Sequence, residues 1–132
     1  LFVKKILINK YMPSNSETIL SAQTHPGDSG AQTITGTKYK GDGYYGRADG
    51  FHTVQYNLTG FLGTVVMQAT LSVEPTDSDW FTITSTSHTA DNDSSSNRDG
   101  GHIYNFTGNY VWVRAYISNW TDGTVQSIIL NH

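Results

Sequence analysis

The chain contains no cysteine. A disulfide framework, a thiolate metal site and a cysteine nucleophile are therefore excluded, and assembly in a reducing cytosol is the simpler expectation. Charge is also scarce: 11 acidic against 8 basic residues leave a formal net charge of -3. No basic field exists to draw in a phosphate backbone, so nucleic acid is not an expected partner. No apolar run approaches the ~20 residues of a bilayer-crossing helix. The opening stretch, residues 1–8, is too short and too interrupted by Lys4 and Lys5 to be a signal peptide, so membrane insertion is not expected. The first residue is Leu1 and not Met, as in a module cut from a longer chain. Glutamate occurs only at Glu17 and Glu74, and proline only three times. With many Thr, Ser, Gly and Tyr, this composition fits a β-rich extracellular or virion-type surface.

What the chain does have is a short repeat. Tyr56-Asn57-Leu58-Thr59-Gly60 returns as Tyr104-Asn105-Phe106-Thr107-Gly108, each copy leading into a strand-like run. Thr121-Asp122-Gly123-Thr124 reads as an Asp-Gly hairpin turn that places Ile117 opposite Ile128 and Ala115 opposite Leu130. Gly108-Asn109 reads as a second two-residue turn, pairing Phe106 with Val111 and Tyr104 with Val113. A Gly60-to-Gly63 loop pairs Leu58 with Val65, Tyr56 with Met67 and Val54 with Ala69. All three registers bury the same apolar face, and a one-residue slip in any of them would turn it to water.

Elsewhere, strands are expected over residues 2–9, 18–22, 33–35 and 80–84, with a turn at 75–79. Residues 85–101 are polar and read as a mobile loop. Residues 36–50 interleave glycines with Tyr39, Tyr44 and Tyr45 and read as an ordered loop lying across one sheet. No segment carries a helical apolar stripe over three turns. At 132 residues the expected fold is one all-β domain, residues 1–132: a two-layer antiparallel sandwich, jelly-roll or Greek-key, of about eight or nine strands and no significant helix.

The sharpest candidate site is the face opposite the core. Alternation that buries Val111, Val113, Ala115 and Ile117 sends Trp112, Arg114 and Tyr116 outward, with Asn105 expected opposite Trp112. Aromatic faces stack on sugar rings, and Arg and Asn supply directional hydrogen bonds to hydroxyls. The competing reading is that the 36–50 loop or a neighbouring subunit covers this stripe. A second candidate is the loop itself, with Tyr39, Tyr44, Tyr45, Arg47 and His52.

For metals, Asp91, Asp93 and Ser95 match the first positions of a calcium loop, but Ser96 replaces its glycine and His102 its glutamate. Asp91, Asp93, Asn97 and Asp99 are left as weak candidates for a structural calcium, against the plainer reading of a solvated loop; no other cofactor is expected. The five histidines show no metal-hydrolase spacing and each reads as a satisfied packing or surface residue. No serine lies in a nucleophile elbow. A glycan hydrolase, which needs only two carboxylates placed by the fold, would draw on Asp49, Glu74, Asp77 or Asp79 and is the most distant alternative. Sequons at Asn57, Asn92, Asn105 and Asn119 read as accidents of a Thr-rich β protein.

From residue 50 to the end, a resemblance adds to this reading. The runs 50–56, 63–71, 79–81, 108–115, 122–125 and 129–132 resemble β-sandwich modules in virion structural proteins of marine tailed phages, cyanophages especially. That resemblance implies a non-enzymatic virion structural or adhesion module of a tail, neck or fibre-like component. Its implied partners are other virion subunits, further copies of itself or a cell-surface glycan. Its implied place is the particle, assembled in the host cytoplasm. The expected architecture is also similar to galactose-binding-like jelly rolls, which makes a carbohydrate-binding module the alternative function; no ligand residue carries over from that likeness.

Overall fold

A computed structural model describes residues 16–28, 30–46, 49–93 and 95–132. The strand expected over residues 2–9 lies outside them, as does Arg47. The described residues form eight strands: β1 (Ser16–Leu20), β2 (Gln23–Thr24), β3 (Gln32–Thr35), β4 (Tyr39–Lys40), β5 (Phe51–Thr70), β6 (Phe81–Ala90), β7 (Gly100–Thr107) and β8 (Trp112–Asn131). Among the described residues the only helical pieces are single 3-10 turns at Asp77–Asp79 and Ser95–Asn97.

The architecture is an all-β antiparallel sandwich of the jelly-roll kind, organised by β5 and β8. Each runs for 20 residues, several times the usual strand length. They pair antiparallel from Thr53↔Asn131 at one end to Thr70↔Trp112 at the other. Midway, the register shifts between Thr59 and Leu62 and again before Thr64, and the ribbon bends there. The bend puts the two halves of each strand in different layers. In the first layer, the start of β5 pairs with β7 and the end of β8 with β1 and β2. In the second layer, the end of β5 pairs with β6 and the start of β8 with β3 and β4.

This arrangement overturns the three expected hairpins. Leu58 lies opposite Val125 and Val65 opposite Ile117; Ile128 lies opposite Tyr56 and Leu20. Phe106 pairs with His52 and Tyr104 with Val54, so β7 joins the free edge of β5 and not β8. Residues 108–111 form a crossover between layers, held by Gly108 N to the Gly50 carbonyl at 3.0 Å and Val111 N to the Thr70 carbonyl at 3.0 Å. A positive-φ glycine serves a strand corner as well as a tight turn, and here Gly60 (φ 61°) and Gly123 (φ 86°) make the corner.

The inward face is nevertheless as expected. Val54, Tyr56, Leu58, Val65, Met67, Ala69, Phe106, Val113, Ala115, Ile117, Ile128 and Leu130 are all buried in one core, while Val111 is half-buried. Phe61 and Trp120 fill the corner, Trp120 donating from Nε1 to the Asp122 carbonyl at 3.0 Å. Tyr56 ties the layers together: its hydroxyl, on β5 in the first layer, donates to the Thr86 carbonyl on β6 in the second at 2.9 Å. The stretch read as a mobile loop, residues 85–101, is strand at both ends. β6 reaches Ala90 and β7 starts at Gly100, and the link between them is tied to the corner by Phe61 N to the Arg98 carbonyl and Arg98 Nη2 to the Gly60 carbonyl, both 3.0 Å.

Candidate functional site

The start of β8 alternates strictly. Val113, Ala115 and Ile117 face the core, so Trp112, Arg114 and Tyr116 stand on the outer face of the second layer. Their neighbours follow from the ladder: Thr70, Gln68 and Val66 on β5, with Lys40 and Thr35 on the other side. Val66 and Thr70 are buried even on this outer face.

The contacts there alternate rings and cations. Lys38 Nζ sits 4.5 Å from the centre of the Trp112 ring, Lys40 Nζ 4.6 Å from that of Tyr44, and Arg114 Cζ 4.2 Å from that of Trp80. Tyr44 packs against Trp112 with centroids 5.0 Å apart and meets Tyr45 edge-on at 5.6 Å. Trp112 Nε1 donates to the Val73 carbonyl at 2.9 Å, and Arg114 Nε donates to Gln68 Oε1 at 2.8 Å. Burial draws the Arg114 guanidinium below its ordinary value, opposed by Asp77 and Tyr116. Tyr44 and Tyr45 remain 44% and 50% exposed, so they are the open aromatic edge of the face.

The two sequence-based candidates thus merge. Tyr44 and Lys38 lie on Trp112, as the covering reading expected, yet the cover itself offers exposed rings and cations. Four described Lys and Arg side chains exist, and three of them, Lys38, Lys40 and Arg114, gather here. The fourth, Arg98, is at the corner with Asp122 at 3.9 Å. Sequence reasoning missed Lys38, Lys40, Trp80 and Gln68; for Lys40 and Gln68 the one signal was strand parity on β4 and β5, which needed the correct partner strands to be read.

Asn105 does not belong to this face. It lies in the first layer opposite Thr53, accepting from Thr53 Oγ1 at 2.8 Å, because β7 follows β5 and not β8. Two glycines of the 36–50 segment are explained by packing: a Cβ on Gly41 or Gly43 would strike the backbone of Tyr110 or Asn109 in the crossover. The weak calcium candidates are engaged separately. Asp91 Oδ1 accepts from Asp93 N at 3.0 Å, Asn97 Nδ2 donates to the Thr89 carbonyl at 3.3 Å, and Asp99 Oδ1 accepts from Gly60 N at 2.8 Å. A shallow cavity of about 280 Å³ beside the corner, lined by Leu62, Thr64, Thr89, Asp91 and Asn119 among others, holds no ring or cation with which to stack on a sugar. Of the carboxylates a hydrolase would use, Asp79 is spent on Thr76, accepting from its N at 2.7 Å and its Oγ1 at 3.0 Å.

No protein-family model matches the chain, and no curated protein matches it. Among solved structures, the SPBc2 prophage-derived protein YomS is similar over 89% of this chain and 90% of its own, with a TM-score of 0.53 and 13% identity. The family 29 carbohydrate-binding module CBM29_1 from Piromyces equi is similar over 92% and 93%, with a TM-score of 0.43 and 10% identity. The first similarity establishes that a phage-derived protein shares the sandwich fold. Neither carries a function across.

Proposed function

We propose that this chain is a non-enzymatic surface module of phage type, structural or adhesive, that meets acidic cell-surface carbohydrate through the outer face of its second layer. The carrying observation is the gathering of Lys38, Lys40 and Arg114 among Trp112, Trp80, Tyr44 and Tyr116 on one sheet face of a chain whose net charge is -3. Rings give a stacking surface for pyranose faces, and the cations select saccharides that carry carboxylate, sulfate or phosphate. The phage reading draws on the resemblance of residues 50–132 to virion modules of marine tailed phages and on the shared fold of a prophage-derived protein. On that reading the module works in the particle, beside other virion subunits or further copies of itself.

Titration with oligouronates and with neutral oligosaccharides of equal length, followed by Trp fluorescence and amide shifts, tests the proposal. The oligouronate is expected to move the amides of Lys38, Tyr44, Tyr45 and Arg114, with affinity that falls as salt rises. Arg114→Ala or Tyr44→Ala should weaken binding by roughly 10-fold or more, as loss of a central anchor does. No perturbation of these residues by any sugar at millimolar concentration would remove the glycan reading. Turnover of the saccharide, abolished by one Asp or Glu substitution, would replace it with a hydrolase.

A further inference from the structure

Asp42, His52 and His132 meet where β5 starts and β8 stops. Each offers a ligand-type atom, and these atoms lie within 4.8 Å of one another. Asp42 and His52 are 1% and 2% exposed, and the His132 side chain is 7% exposed. His132 Nδ1 donates to Asp42 Oδ1 at 2.8 Å, and its Nε2 lies 3.6 Å from Glu17 Oε1 on β1. Asp49 lies beside Asp42.

His52 is the informative member. Its Nδ1 donates to the Gly50 carbonyl at 2.9 Å, which leaves Nε2 as a bare electron pair. That atom is buried and has no hydrogen-bond partner. The contrast with two other histidines is direct. His25 uses both ring nitrogens, with the Gly30 carbonyl and Gly27 N, and His88 uses both, with the Asn97 carbonyl and the Tyr104 hydroxyl. An orphaned acceptor in a folded core costs free energy unless something accepts its electron pair. The ring is also held rigidly, stacked on Phe106 at 4.7 Å and 6° and facing His132 at 5.5 Å and 26°.

We propose that Asp42, His52 and His132 bind a divalent transition-metal ion of the zinc class. Two imidazoles and a carboxylate suit such an ion, whereas calcium and magnesium favour all-oxygen shells. A backbone carbonyl on the far nitrogen, as Gly50 provides for His52, is the usual outer-shell device that orients a ligating histidine. Metal–ligand bonds of about 2.0–2.1 Å place tetrahedral ligand atoms about 3.3 Å apart, so the cluster closes by roughly 1.5 Å at most to make them. The ion would clamp the 42–46 turn to the end of β8, where Tyr45 already stacks on His132 at 6.1 Å. The site stands whether or not the outer face binds a glycan.

The metal-stripped full chain, titrated with zinc chloride by calorimetry and with cobalt chloride by visible absorption, tests this. One equivalent of zinc is expected, with a rise in thermal midpoint, a shift of the His52 Nε2 resonance, and cobalt bands of a four- or five-coordinate site. His52→Gln and Asp42→Asn should each weaken zinc by at least about 10–100-fold, the range that loss of an outer-shell partner alone produces. If either fails to fold, His132→Gln at the end of the chain and the histidine resonances of the unaltered protein decide. Absence of zinc binding at millimolar concentration would overturn the proposal. So would binding that leaves the His52 resonance unmoved or survives these substitutions with its affinity intact, since the ion would then sit elsewhere.

Discussion

His88 shows at the residue scale how burial sets a titration. Desolvation lowers its pKa below the ordinary 6.5, the hydrogen bond from Nε2 to the Asn97 carbonyl opposes that, and the charge of His102 lowers it further. The His102 ring centre is 4.2 Å away, and the Tyr104 hydroxyl donates to His88 Nδ1 at 2.6 Å. The neutral imidazole is therefore the form the fold prefers. As pH falls from about 6.5, the unfolded chain takes up this proton first. Stability is complete above that pH and is lost as pH falls through the lower folded value. Urea midpoints measured from about pH 7.5 down to pH 5 should decline, and His88→Gln should flatten part of that slope. His52, shifted the same way by burial, supplies more of it. A midpoint independent of pH over this range would show that neither ring is desolvated.

At the scale of elements, the corner decides the fold. Asp122-Gly123 has the composition of a two-residue hairpin, yet it bends one continuous strand around Trp120 and Phe61. Gly123 has φ 86°, Asp122 Oδ1 accepts from its N at 2.8 Å, and an added Cβ would meet the Gly60 carbonyl of β5. Gly123→Ala therefore meets both a left-handed backbone and a steric block where two corners touch. The substitution should destabilise by more than about 1 kcal/mol, read as a lower chemical-denaturation midpoint at unchanged slope. Gly60→Ala is the informative comparison, since a Cβ there meets nothing within 4 Å and carries only the backbone strain of φ 61°. The cost at position 123 should exceed that at position 60.

For the whole molecule, β5 and β8 belong to both layers, so neither layer can unfold alone without pulling half of each long strand from its partners. Val113 lies in the second layer and Ile128 in the first, and both are 0% exposed. Val113→Ala and Ile128→Ala should each cost about 1.5–4 kcal/mol through lost burial and the cavity left behind. Both should shift a single transition, with Trp fluorescence and far-ultraviolet circular dichroism giving the same midpoint. Separate transitions for the two probes would show that the corner acts as a hinge between independent units.

The alternation along each segment determined which side chains face inward, because strand parity depends only on a period of two and the burial of one face. For that reason Trp112, Arg114 and Tyr116 were legible as an outer stripe, and Ile117, Ile128, Leu58 and Val65 as core, before any partner strand was known. Pairing was not legible. A positive-φ glycine is compatible with a tight hairpin and with a corner in a through-going strand, and the two differ only in which long-range ladder closes. The tertiary structure alone decided that β7 follows β5, which removed Asn105 from the stripe, and that β4 follows β8, which brought Lys38 and Lys40 to it. It alone also brought His132 to Asp42 and His52, which stand some 80 to 90 positions earlier in the chain. Contacts at such separations are set by the closure of the whole ribbon, and no local propensity encodes them.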